Sequence, residues 1–237
     1  MRSTPAVGGL VIPDAAGGEG VSARPVVLFG LDDVLLYGEP MQAFLRARLR
    51  AGSWRWPLLL VCLPWLAVRA LMSRARLRAT LGRLALLGVH EVRYQQLVED
   101  FAAALVRRSR SCSRDGLRAL RHCMAEGQRV LVVTGCEQRL TQAIFRELGL
   151  AEVEVLASSW RDGWSGMRQA QANHGSEKVR LLARHGLQDC VAAYSASLLD
   201  VPMWRLAAQA VLVNGTPGQC RKLEQALGHA VTRVAWY

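Results

Sequence analysis

VVLFGLDDVLL, residues 26–36, is the stretch on which the reading of this chain turns. Its first four residues are apolar without alternation, as a strand buried on both faces of a parallel sheet requires. A glycine and two acids then break the run, so polar chemistry falls where the strand gives way to a loop. Loops at the carboxyl ends of parallel strands are where ligands bind. A second run of the same kind, RVLVVTG at 129–135, follows the helical stretch LRALRHCMAEG.

From there the pattern alternates: helix near 137–148, strand near 153–157, helix near 177–185, strand near 190–194. Helix near 200–208, strand near 210–213 and helix near 218–227 complete it. Strand–helix alternation predicts an α/β fold, a Rossmann-like parallel sheet with helices on both faces. Residues 24–37 and 126–237 make up this core. About ninety residues between the first two strands, 38–125, carry helical periodicity and predict an inserted all-helical cap. The glycine-rich start, 1–23, has no sustained apolar run, unlike a secretory signal, and reads as a flexible leader.

The six cysteines, at 62, 112, 123, 136, 190 and 220, form no CxxC pair and suggest neither a disulfide framework nor a zinc site. Net charge is +11. Nine arginines (46, 48, 50, 55, 69, 74, 76, 78 and 83) lie between Glu39 and Glu91 with no acid among them, so nearly all the excess is local. Such a patch suits an anionic partner. It surrounds PLLLVCLPWLAV, residues 57–68, which carries no charge. As a helix this run would span about 18 Å, short of a bilayer core of about 30 Å. Pro64 interrupts it, and Trp54, Trp56 and Trp65 sit at or near its ends. It reads either as a segment lying in a membrane interface or as an ordinary buried cap helix. Nucleic acid is the weaker partner, because no binding motif accompanies the arginines.

Four short segments fall at carboxyl ends of strands. Phe29-Gly30-Leu31-Asp32-Asp33-Val34-Leu35 resembles F-D-x-D-G-T-L of the haloacid dehalogenase (HAD) superfamily. Val132-Val133-Thr134-Gly135 resembles its hydroxyl-bearing phosphate motif, and Gly175-Ser176-Glu177-Lys178 its G-x-E-K. Tyr194-Ser195-Ala196-Ser197-Leu198-Leu199-Asp200-Val201-Pro202 resembles Y-S-D-S-x-x-D-x-P. The resemblance implies Asp32 as acid/base, Thr134, Gly135 and Lys178 as phosphate binders, and Asp200 as a retained metal-site acid. VNGTPGQCRKLEQAL resembles the superfamily's tail, and the cap, GVHEVRYQQL and HGSEKVRLL resemble bacterial phosphatidylglycerophosphatase C, of the phosphoserine phosphatase-like branch. That likeness implies a phosphorylated lipid ligand at an anionic, cytoplasmic membrane face.

Two positions depart from the pattern. The nucleophile's place is Gly30 and a magnesium ligand's place is Ala196. A covalent route needs a carboxylate nucleophile, and a hard cation wants carboxylate oxygen. With Asp32 as substitute nucleophile, the residue two later is Val34, which leaves no acid/base. Cys136 has no histidine beside it in sequence and reads as a packed thiol. The expectation is a catalytically impaired, peripheral membrane pseudophosphatase that binds a phosphorylated lipid or a partner protein, with no resident cofactor. The other reading is an active phosphomonoester hydrolase with an unusual carboxylate arrangement, which would then use magnesium.

Overall fold

The computed structural model describes residues 24–51, 61–62, 64–65, 71 and 74–237, the side chains of 74–78 excepted. The 1–23 leader and most of the 57–68 run lie outside these residues. Seven strands form one sheet: β1 (Val26–Phe29), β2 (Arg129–Glu137), β3 (Glu154–Arg161), β4 (Arg168–Gln171), β5 (Cys190–Ser195), β6 (Ala207–Val213) and β7 (Thr232–Val234). Their order is β4-β3-β2-β1-β5-β6-β7. β1 runs parallel to β2 and β5, β5 to β6, and β6 to β7, while β3 and β4 are antiparallel. The α/β class with a mainly parallel sheet is therefore as the sequence predicts. The helices described are α1 (Pro40–Ala51), α2 (Arg74–Ala85), α3 (Glu91–Val106), α4 (Arg114–Ala125), α5 (Gln138–Glu147), α6 (Ser176–Arg184), α7 (Val201–Trp204) and α8 (Pro217–Leu227). No helix among the described residues is long and apolar enough to cross a membrane.

Two compact units emerge. One gathers the described residues up to Tyr37 with Cys112–Val133 and His174–Tyr237. Its central strands are apolar runs because both faces are covered, and Val27, Phe29, Leu131, Val132, Ala192, Ala193, Val211 and Leu212 are all buried. Trp204 is fully buried, and its indole N–H donates to the Ala193 carbonyl at 3.0 Å. Local signals set the helix ends. The Ser113 hydroxyl accepts from the Gly116 N–H to open α4. Thr216 and Gln219 form a reciprocal capping box for α8, which stops at left-handed Gly228.

The other unit holds Gly38–Ser111 with Thr134–Asn173. Phe44 meets Tyr94 and Phe101 edge-to-face, and Val98, Ala102, Leu140, Ile144 and Phe145 are buried. Gly82 on α2 is where Trp160 of β3 lands: a Cβ there would lie 2.5 Å from the indole.

Three elements differ from expectation. The 200–208 helix is a 3₁₀ turn, Leu198–Asp200, followed by the single turn of α7. It ends early because Ala207 already pairs with Cys190 in the sheet. β4 and β7 carry no apolar run of their own and were not predicted.

Candidate functional site

The β1 loop opens at Gly30, whose N–H donates to the Tyr194 carbonyl at 2.7 Å. Parallel pairing of Phe29 with Tyr194 thus brings the ends of β1 and β5 side by side. The Leu31 carbonyl then gathers the N–H groups of Leu35 and Leu36, and Leu36 accepts from Asp33, closing a tight turn. Asp33 sits at φ 58°. That left-handed conformation is one aspartate tolerates better than most side chains. Leu31, Val34, Leu35 and Leu36 are buried beneath the turn, while Asp32 is half-buried and Asp33 exposed. Gly116 of α4 packs so closely under the turn that a Cβ would come within 2.4 Å of the Val34 carbonyl oxygen.

Lys178 and Asp200 meet in the same unit. The ammonium lies 2.7 Å from Asp200 Oδ1, with both side chains under a tenth exposed. Asp200 Oδ2 accepts from the Ser195 hydroxyl at 2.6 Å. Both carboxylate oxygens are therefore engaged by the protein, and the lysine's charge is balanced at close range. Nothing in the sequence marks Ser195 for this part. Its bond to Asp200 depends on the 3₁₀ turn that brings residue 200 back over the end of β5.

Thr134 and Gly135 belong to the other unit. Thr134 is buried in β2, and its hydroxyl accepts the Cys136 N–H at 3.0 Å. Asn173, fully inside, donates to the carbonyls of Thr134 and Leu156 at 3.0 and 2.9 Å. The Ser158 hydroxyl donates to the Gly135 carbonyl and accepts from the Asn173 N–H. These bonds hold the strand rigidly, and sequence reading missed both residues. The helix start expected near Thr134 comes at α5, but Glu137 already caps it, accepting from the Leu140 N–H at 2.8 Å. Burial, opposed by that bond, pushes the Glu137 carboxyl up from its ordinary range. Burial and the neighbouring Glu137 push the Tyr94 phenol up as well. Cys136 is buried, as a packed thiol would be.

A magnesium ion needs several oxygen donors converging on one point. Gly30 and Ala196 offer no side-chain oxygen, and Asp200 spends both of its own on Lys178 and Ser195. Among the described residues no three His, Cys, Asp or Glu side chains come together. The residues present do not fit the metal that the resemblance implies.

The profile of haloacid dehalogenase-like hydrolases matches residues 27–205. Comparison with curated protein sequences gave no match. Among solved structures, a protein of unknown function from Bordetella pertussis Tohama I aligns with TM-score 0.68 at 24% identity, covering 89% of this chain and 99% of its own. A HAD family hydrolase from Salmonella enterica subsp. enterica serovar Typhi aligns at 0.59 and 13% identity, over 90% of this chain and 70% of its own. A probable phosphoserine phosphatase from Vibrio cholerae aligns at 0.56 and 13%, over 88% and 59%. At such identities the likeness is one of fold. Profile and fold agree: the chain belongs to the haloacid dehalogenase-like hydrolase family, and its architecture is phosphatase-like.

Proposed function

We propose that this chain is a pseudophosphatase: it keeps the phosphatase-like fold, has lost turnover, and acts at a membrane by holding a phosphorylated lipid or a partner protein. One observation carries the reading. The two positions that should supply nucleophile and metal oxygens are Gly30 and Ala196, and the remaining acid of the last motif is neutralised by Lys178 and Ser195. Phosphoryl transfer depends on charge stabilisation and positioning. A site without the attacking carboxylate and without a metal's ligands supplies neither. In this reading Asp32 is an acid/base group left without work.

Membrane association is supported by the acid-free arginine series between Glu39 and Glu91. Within it, Leu71 is 88% and Val61 79% exposed, apolar side chains open to a membrane interface. The helical cap over 38–125 would present this surface to the cytoplasmic leaflet. Calorimetric titration with magnesium tests the loss of the metal site. The natural chain should give no binding heat, and Gly30→Asp combined with Ala196→Asp should give saturable binding. A Cβ at Gly30 would make only ordinary contacts, 3.4 Å from the Tyr194 oxygen and from Val34 Cγ2, so the variant is sterically permitted. Saturable magnesium binding by the natural chain would refute the reading.

A further inference from the structure

The turn Asp162–Met167, which joins β3 to β4, carries a tryptophan that no described residue covers: Trp164 is 95% exposed. A mobile loop could carry such a side chain without consequence, but this turn is clamped. The Gly88 N–H donates to the Ser165 carbonyl and the Met167 N–H to the Val89 carbonyl, both at 2.9 Å. Gly166 sits at φ 112°, where a Cβ would strike the Leu86 carbonyl oxygen at 2.4 Å. The backbone of 163–167 is thus pressed onto the turn between α2 and α3, and Met167 is buried beneath it. On the same turn His90 Nδ1 lies 3.0 Å from Asp162 Oδ1, which fastens the first residue of the loop as well. The indole is held outward by a fixed frame, at no further cost in loop ordering when it meets a partner.

The charges around it have a sign. Glu91 is paired with Arg139, while Asp162 is hydrogen-bonded by His90 and remains the one acid within the turn, against three arginines. Arg83, Arg93 and Arg161 are exposed and make no ion pair among the described residues. Beside them Val92, in the first turn of α3, is 76% exposed. A rigid, outward indole, with exposed Arg161 at the end of its own strand and Arg83, Val92 and Arg93 exposed on the two helices that flank the 86–90 turn, matches a surface that is anionic at its face and apolar just beneath. Tryptophan favours that boundary because its ring is apolar and its N–H is polar.

We propose that Trp164 is a membrane-insertion residue: the β3–β4 turn enters the headgroup region of an anionic bilayer, with Val92 at its side and Arg83, Arg93 and Arg161 on the phosphates. The proposal rests on the membrane reading above and adds to it a contact point in the sheet-bearing part of the chain, away from the 57–68 segment in sequence. Withdrawing about 60 Å² of indole from water, at about 25 cal/mol per Å², corresponds to about tenfold in partition.

The test is co-sedimentation of the full chain with vesicles of phosphatidylcholine alone, and of phosphatidylcholine mixed with phosphatidylglycerol. Four proteins are compared: natural, Trp164→Ala, Trp164→Tyr, and the triple change Arg74→Glu, Arg76→Glu, Arg78→Glu. The expected result is that Trp164→Ala weakens binding to the anionic vesicles about tenfold, that Trp164→Tyr restores most of it, and that neither alters the melting temperature. Weakening by Trp164→Ala with no change in the triple variant supports the insertion residue and removes the 74–78 arginines from the membrane reading. Loss in the triple variant with none in Trp164→Ala overturns the insertion residue and leaves the membrane reading standing. Failure of the natural chain to bind anionic vesicles overturns both. A single-stranded RNA arm settles the remaining partner: if Trp164→Ala weakens binding to RNA and leaves vesicle binding unchanged, the surface is a nucleic-acid site and the proposal falls.

Discussion

At the scale of single residues, the Lys178–Asp200–Ser195 cluster ties stability to function. A buried ion pair is worth little in itself, because desolvation offsets attraction, but removing one partner strands the other. Lys178→Met should therefore destabilise the fold by about 3–5 kcal/mol, since Asp200 would keep only the Ser195 hydroxyl. Lys178→Met combined with Asp200→Leu should recover most of that loss, and urea unfolding measures both. Equal destabilisation by the single and double changes would show that Lys178 and Asp200 are not coupled. The lysine and the aspartate were legible from their motifs. Their direct pairing was not decided, because the same two side chains could have faced a bound anion. The Ser195 bond was out of reach, since it depends on the turn at 198–200 rather than on any spacing in sequence. Asn173 was missed for a similar reason: a lone asparagine carries no signal until β2 and β3 bring two carbonyls to it.

At the scale of elements, four of the legible strands are buried on both faces, and β3, read near 153–157, alternates in burial along its length. β1, β2, β5 and β6 announce themselves as unbroken apolar runs, whereas β4, reading RQAQ at one edge of the sheet, has no core face to mark it. β6 begins earlier than its apolar run because ladder pairing with β5 overrides the helical look of the residues before it. Two predictions belong here. Gly116→Ala forces a Cβ against the Val34 carbonyl and should cost about 1–3 kcal/mol as an overpacking change, seen as a lower melting temperature. An unchanged melting temperature would mean that α4 can move away from the turn. Glu137 caps α5 from a buried position, and burial holds its carboxyl above the usual range. An acid raised in the folded state resists ionising there. Its contribution is therefore most favourable below the unfolded value of about 4.3 and declines as pH rises from there. Glu137→Gln keeps an oxygen for the Leu140 N–H, so its stability relative to the natural chain should increase with pH from about 4.3 upward. Parallel stability–pH curves for the two proteins would contradict this assignment.

At the scale of the whole molecule, the chain shares its family with haloacid dehalogenase-like hydrolases and its fold with a probable phosphoserine phosphatase, and the proposed loss of turnover rests on two strand-end positions, Gly30 and Ala196. Asp33 holds the left-handed turn where the family pattern has glycine, and Gly30 keeps a peptide hydrogen bond to β5. On the proposed reading, returning the two carboxylates restores turnover. The direct measurement is hydrolysis of a phosphomonoester, p-nitrophenyl phosphate or phosphatidylglycerophosphate, with magnesium present, by the natural chain and by Gly30→Asp with Ala196→Asp. Losing a covalent nucleophile can lower kcat by about a millionfold, as measured in a serine protease. The natural chain should therefore show no turnover above background, and the double variant should hydrolyse the ester. Magnesium-dependent turnover by the natural chain, abolished by Asp32→Asn, would contradict the account.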